Sequence, residues 1–130
     1  PDLSAYHVLL VDDNMINIEV AKAILKRTKI NITCASDGLE AIDALKFNEG
    51  QHIDLVLMDC QMPNLNGYDA TSEIRNAKAG INYIHVPIIA MTASAMEGDR
   101  ERCIAAGMND YITKPIKPKT LKERLITWLN

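Results

Sequence analysis

Five short apolar runs, each of strand length, alternate along this chain with five segments of helical periodicity, and no other feature restricts the fold as much. His7-Val8-Leu9-Leu10-Val11 is the first run, and Asp12-Asp13-Asn14 after it supply groups suited to a helix start. Helix one carries Asn17, Val20, Ala21, Ile24 and Leu25 at helical spacing and loses its pattern near Thr28. A second strand, Asn31 to Ala35, passes through Ser36-Asp37-Gly38 into a helix whose inward face is predicted at Leu39, Ile42 and Leu45. After a turn around Asn48-Glu49-Gly50, Ile53 to Asp59 forms a central strand, its Leu55-Val56-Leu57-Met58 unbroken as in a strand covered on both faces. Pro63, Asn64, Asn66 and Gly67 mark a loop, and helix three is predicted from Tyr68 to about Lys78. Strand four is Pro87 to Met91. Ser94-Ala95-Met96-Glu97 has the form of a capping box that starts helix four, and Gly107 stops it. Asp110 to Thr113 is a fifth strand, and a last helix runs from Pro118 to Leu129 with Leu121, Leu125, Trp128 and Leu129 facing in. This alternation implies one α/β domain, doubly wound, with a parallel sheet, right-handed crossovers and helices on both faces.

Length and charge set outer bounds. A chain of 130 residues is the size of one domain, and such a domain buries roughly two-thirds of the surface its unfolded chain exposes. Fourteen basic and 17 acidic residues give a net charge of -3, with no basic stripe, which argues against direct nucleic-acid binding. Cys34, Cys60 and Cys103 are odd in number and far apart, so neither a disulfide framework nor a structural zinc site is expected, and a reducing cytoplasmic setting fits. No apolar stretch approaches the roughly 20 residues that span a bilayer, and no signal peptide is visible. No membrane contact by this domain is expected. The start at Pro1 suggests a piece of a longer protein.

Asp12, Asp13, Asp59, Thr92 and Lys114 each stand at or just past the end of a strand-like run. In an open α/β sheet ligands bind in the crevice outside the carboxyl ends of the strands, so these five are predicted to meet at one rim. Each has a plainer reading. Asp12 and Asp13 would complement the dipole at a helix start, Asp59 would form a turn, Lys114 would be an exposed loop lysine, and Thr92 a β-branched strand residue. Together they supply what a phosphoryl transfer onto a carboxylate requires. Three carboxylates at one rim repel each other unless a cation joins them, and Mg2+, with its preference for hard oxygen ligands, is the cation expected. Lys114 is then a point charge for a phosphate.

The residues Val11-Asp12-Asp13-Asn14, Met58-Asp59-Cys60-Gln61-Met62-Pro63 with Gly67, Met91-Thr92-Ala93, and Tyr111 with Lys114-Pro115 cover the chain from end to end. In them the sequence resembles the receiver (response-regulator) domain of two-component signalling proteins. That resemblance implies a flavodoxin-like fold of strand order 2-1-3-4-5 with a cis Lys114-Pro115 bond. It implies Asp59 as phosphoacceptor, Asp13 and Asp59 as direct Mg2+ ligands, Asp12 as an acidic partner acting through water, and the backbone carbonyl of Gln61 as a further ligand. Lys114 and Thr92 would meet the phosphoryl oxygens, and Tyr111 would change rotamer on activation. The donor would be a phosphohistidine on a histidine kinase core, with onward transfer to a histidine phosphotransfer domain, and a weak homodimer is compatible with it. Asp12-Asp13-Asn14-Met15-Ile16-Asn17, Asp59-Cys60-Gln61-Met62-Pro63 and the terminal Leu125-Ile126-Thr127-Trp128-Leu129 are most similar to receivers of hybrid sensor histidine kinases. Two positions depart from the family pattern: Thr28-Lys29-Ile30-Asn31, where many relatives place a Gly, and Asn66, where an Asp is frequent.

Other features read as structural. His7, His52 and His85 have no His or Cys partner at ligand spacing and are expected at surface or edge positions. Cys60 reads as a buried small hydrophobe, with redox sensitivity as the alternative beside Asp59, and the Met residues as scattered core filling. Three further functions stay open. An aspartate-nucleophile phosphatase of the haloacid-dehalogenase type needs Asp-x-Asp after its first strand, and this chain has Asp-Cys-Gln after its third. A flavin binder needs a hydroxyl-rich loop where this chain is acidic. A docking module would not need the five chemical positions.

Overall fold

The computed structural model describes residues 2–48, 50–93 and 96–129, with residue 97 described in its backbone alone. Five strands, β1 (His7–Val11), β2 (Asn31–Ala35), β3 (Leu55–Asp59), β4 (Ile88–Thr92) and β5 (Asp110–Thr113), form one parallel sheet of order β2-β1-β3-β4-β5. Between and after them lie α1 (Met15–Lys26), α2 (Gly38–Lys46), α3 (Gly67–Arg75), α4 (Glu97–Ala106) and α5 (Pro118–Leu129). Every side chain of β1, β3 and β4 is buried, which is why these runs are apolar without alternation. Leu9, Val11, Val56, Met58, Ile88 and Ala90 face the layer of α2, α3 and α4, while Val8, Leu10, Leu55, Leu57, Ile89 and Met91 face α1 and α5. No helix among the described residues is long and apolar enough to cross a membrane.

Several expected boundaries move for identifiable reasons. β3 opens at Leu55 because the Ile53 amide is taken by the Tyr83 hydroxyl at 3.2 Å, while the Asp54 carboxylate accepts from the His7 amide at 2.9 Å. β4 begins at Ile88, since Pro87 has no amide hydrogen to donate, and it continues through Thr92. α3 stops at Arg75 instead of Lys78; Ala77 beyond it takes a left-handed φ of 67°. A single 3-10 turn at Ile81–Tyr83 was not foreshadowed by any pattern. Val20 and Leu39, expected inside, are 47% and 51% exposed, and Ile18 and Ala41 are buried in their place. In α1 the stripe Ile18, Ala21, Leu25 keeps helical spacing and leaves Val20 on its flank. In α2, Gly38, Ala41, Ile42 and Leu45 do the same. Trp128 and Leu129 are half-buried against the α1 and α5 side of the core. His7 is buried, not at the surface, with its ring bonded to the Gln51 carbonyl at 2.8 Å and the Thr33 hydroxyl at 2.6 Å. His52 is exposed and stacks on Tyr83 with ring centroids 4.8 Å apart. Met58, Met91 and Met108 fill the core, but Met15 and Met96 are exposed. Ser94 and the Glu97 side chain of the expected capping box lie outside the described residues; α4 begins at Glu97 and Gly107 ends it at φ 103°.

Within Thr28-Lys29-Ile30-Asn31, where the resemblance leads one to expect a Gly, Lys29 adopts φ 65°, a left-handed conformation that costs a residue with a Cβ roughly 1–2 kcal/mol. Glycine relieves that strain but loses more unfolded-state freedom. Lys29→Gly and Ala77→Gly are therefore each expected to raise stability by about 0.5–1 kcal/mol in urea unfolding. A loss of stability in both would contradict the left-handed backbone at these sites.

Candidate functional site

The carboxyl edge of the sheet gathers the predicted residues. Asn14, not either aspartate, caps α1: its side-chain oxygen accepts from the amides of Ile16 and Asn17 at 2.8 and 3.3 Å. Helix-start duty therefore does not occupy Asp12 or Asp13. Asp12 is buried at the end of β1; one of its oxygens accepts from the Asn14 amide at 2.9 Å. Its other oxygen, Oδ2, is buried and accepts no hydrogen bond in good geometry, and its partner is the Lys114 ammonium at 3.0 Å. Asp59, buried at the end of β3, accepts from Lys114 Nζ at 3.1 Å and from the Gln61 amide at 3.4 Å. Asp13 is exposed beside them, and one oxygen from each of the three carboxylates falls within 4.8 Å of the others.

The remaining positions are fixed through backbone. Thr92 is buried at the end of β4, and its carbonyl accepts from the Lys114 amide at 2.7 Å, which docks the β5 exit against β4. Lys114 is followed by Pro115 through a cis bond. Gly67 approaches Asp59 so closely that a Cβ there would lie 2.1 Å from the Asp59 carbonyl oxygen, so only glycine fits. Gln61 is exposed in the β3–α3 loop. Tyr111 is not part of the carboxylate cluster: it lies back along β5, paired with Ala90, with the Arg100 guanidinium of α4 over its ring at 5.3 Å. Asn66, the other departure from the family pattern, caps α3 by accepting from the Asp69 amide at 2.9 Å.

Three carboxylates around one ammonium leave the rim with excess negative charge. Burial, helped by the charge of Asp12, pushes the Asp59 carboxyl up to about 6 against the opposing pull of Lys114. Burial works to lower the Lys114 ammonium, but its ion pairs with Asp12 and Asp59 outweigh it, so Lys114 is raised and stays protonated. The donor set is all hard oxygen, and one of its atoms, Asp12 Oδ2, is buried and met by the Lys114 ammonium alone, with no hydrogen bond in good geometry. Such a set fits a small divalent cation such as Mg2+. Cys60, next to Asp59, is buried and its thiol is pushed up to about 12 by burial, which matches a small hydrophobe and not a reactive thiolate.

The sequence matches the response regulator receiver domain family over residues 8–126. The chain belongs to this family. It is 43% identical over 122 residues to hybrid signal transduction histidine kinase I of Dictyostelium discoideum, covering 92% of this chain and 7% of that protein. It is 37% identical over 130 residues to sensor protein GacS of Pseudomonas syringae pv. syringae, covering 98% of this chain and 14% of that protein. The receiver thus spans a small fraction of the length of these relatives. Among solved structures, the receiver domain of sensor histidine kinase PA1611 of Pseudomonas aeruginosa PAO1 superposes with a TM-score of 0.83 at 44% identity, covering 95% of this chain and 97% of that one. Its crystal structure holds a magnesium ion coordinated in the active site cleft. The receiver domain of Ssk1 of Saccharomyces cerevisiae, solved in complex with the histidine phosphotransfer protein Ypd1, gives a TM-score of 0.83 at 34% identity over 95% of this chain and 88% of that one.

Because the Asp59 carboxyl is raised in the folded receiver, the native state holds more protons than the unfolded state between pH 3.8 and about 6. Stability from this group is full below pH 3.8 and is lost as pH rises through about 6. At pH 7.5, metal-free Asp59→Asn is expected to be more stable than wild type by about 1–2 kcal/mol, after allowance for screening at an open rim. The difference should shrink at pH 4, and Mg2+ should stabilise the wild type more than the variant. Thermal unfolding at the two pH values checks this, and an equal effect at both would contradict the raised Asp59 carboxyl.

Proposed function

We propose that the chain is the receiver module of a longer signalling protein and that Asp59 accepts a phosphoryl group from a phosphohistidine. What carries the reading is the cluster itself: a carboxylate at the end of the central strand, beside two further acids and one paired ammonium, in a chain of this family. Ionised Asp59 is already a nucleophile and needs no separate base. Its oxygen forms the new bond to phosphorus as the histidine nitrogen leaves with the electron pair of the broken P–N bond. Lys114, freed from part of its pairing with Asp59, offsets the charge of the transferring oxygens. Asp12, Asp13, Asp59 and the carbonyl of Gln61 are the groups that would hold Mg2+, whose chemistry there is charge neutralisation on phosphoryl oxygens. Thr92 would donate its hydroxyl to the same oxygens, and Tyr111 would shift as the β4 exit moves inward, altering the face of α4 and β5. A haloacid-dehalogenase-type phosphatase gains no support: no carboxylate follows Asp59 at the second position, where Gln61 stands. A phosphorylation-independent docking module leaves three clustered carboxylates with one paired ammonium without a purpose.

The partner reading is supported by the surface next to the site. Met15, Ile16 and Val20 of α1 are exposed, and Ile16, Asn17, Val20, Lys114, Pro115 and Ile116 line a groove of about 250 Å³. A helical histidine phosphotransfer domain laid on this groove would bring its histidine to the rim, and the Ssk1 receiver was solved with such a protein. A histidine kinase core would use the same approach, and with a net charge of -3 no nucleic-acid partner is proposed.

Acetyl phosphate with Mg2+ is expected to add one phosphoryl group, about 80 Da by intact mass, to the wild type and none to Asp59→Asn. Equal labelling of the variant would remove Asp59 from this role. Thr92→Ala deletes a hydrogen bond to a charged group worth about 1.5–3 kcal/mol, so it should still be labelled while the amide shifts of α4 and β5 on activation shrink. Ile16→Glu should slow transfer from a phosphotransfer domain by about tenfold or more, as loss of an interface anchor does, with acetyl phosphate labelling unchanged. Transfer at the wild-type rate would place the docking face elsewhere.

A further inference from the structure

The loop that follows Asp59 is tied to a turn that none of the chemical residues occupies. Asn64, exposed and left-handed at φ 64°, donates from its side-chain amide to Asp37 Oδ2 at 2.7 Å. Asp37 is buried, and its other oxygen caps α2 by accepting from the Glu40 amide at 2.8 Å. One residue on in each segment, the Gly38 amide donates to the Leu65 carbonyl at 3.0 Å. A Cβ on Gly38 would stand 2.4 Å from that oxygen, so only glycine permits the approach. The same turn is registered on β1, because the Ala35 carbonyl accepts from the Asp12 amide at 3.1 Å. A stretch of four residues, 35–38, therefore touches the backbone of Asp12 at one end and the loop carrying Gln61 at the other. Asn64 has little packing to hold its amide, so the bond to Asp37 fixes it.

We propose that Asp37 and Asn64 are positioning residues for phosphoryl transfer: their hydrogen bond sets the spacing between the Asp12–Asp13 segment and the β3–α3 loop, and so shapes the cation site beside Asp59. The proposal rests on Asp59 as phosphoacceptor. Its physical basis is the intolerance of Mg2+ for loose geometry, since it demands a near-ideal octahedron. Misplacement of a reacting group by about 1 Å can cost two orders of magnitude in rate. Asp37 is the fixed member, held by its capping bond and by burial; Asn64 is the follower, and the loop moves with it.

Two variants separate this from a turn preference. Asn64→Gly keeps the left-handed backbone and the α2 cap but deletes the amide. Asp37→Asn/Asn64→Asp keeps the net charge and the cap, since Asn serves as well as Asp there, and re-forms the bond with donor and acceptor exchanged. The readout is Mg2+ affinity, taken from the amide shifts of Cys60 and Gln61 in a titration of the metal-free protein, together with the rate of acetyl phosphate labelling. Asn64→Gly should weaken Mg2+ binding by about tenfold, the low end of what loss of an outer partner of a metal site costs, and slow labelling at low Mg2+ by a similar factor. The exchanged pair should return to within about twofold of wild type. Wild-type affinity in Asn64→Gly, or no recovery in the exchanged pair, overturns the positioning role while leaving Asp59 labelling intact. A wild type that takes no label overturns the phosphoacceptor reading, and this role with it.

Discussion

Two buried carboxylates sharing one ammonium is the arrangement on which the rest of this structure turns. Lys114 stands 3.0 Å from Asp12 and 3.1 Å from Asp59, and it cannot neutralise both. Burying a charge without full pairing is expensive, so the domain maintains a local instability where a cation or a phosphoryl group would bind. The surrounding scaffold has to be stable enough to absorb it. β1, β3 and β4, buried from end to end, and the helices packed on both faces supply that scaffold.

Parallel register converts sequence order into geometry. Val11 pairs with Met58, Asp59 with Met91, and Thr92 with Thr113, so the strand exits lie side by side at one edge. An antiparallel sheet would send alternate exits to the opposite edge and disperse the acids. The bond from the Lys114 amide to the Thr92 carbonyl continues this ladder one step beyond the strands and delivers the ammonium to the carboxylates. The site is thus the extension of a backbone pattern, with side chains added at its ends.

Much of this is legible in the sequence. Continuous apolar runs signalled doubly covered strands, and acids at their ends signalled the rim. The inward faces of α1 and α2 are less legible, because Val20 and Leu39 are apolar, as are the Ile18 and Ala41 buried in their place, and only tertiary packing chooses between adjacent stripes. The end of α3 was hidden by residues that tolerate helix; Ala77 turns left-handed with no glycine to announce it. In the sequence Asp37 is only part of the passage into a helix and Asn64 only part of a loop, since a contact between residues 27 apart leaves no periodic trace. Asp110 was missed for the same reason: one of its oxygens accepts from the Tyr111 amide at 2.8 Å and the other from the Trp128 indole at 2.9 Å, with Arg124 at 3.2 Å.

Rigidity and looseness are placed unequally around the rim. The loop after Asp59 is held at Gly67, at Asn64 and at Leu65, each by a contact that excludes or fixes a side chain. Helix α4 is held differently. Among its described residues Cys103 alone is buried, and its flanking arginines rest on aromatic faces, Arg100 on Tyr111 and Arg102 on Tyr68 at 4.1 Å. Cation–π contacts at such exposed sites are worth about 0.5–1 kcal/mol each, within reach of the free energy that one charge-assisted hydrogen bond at Thr92 would supply. The segment that must hold reacting groups in place is therefore pinned by backbone and glycine. Helix α4 is retained by contacts weak enough for the hydrogen bond proposed at Thr92 to exchange.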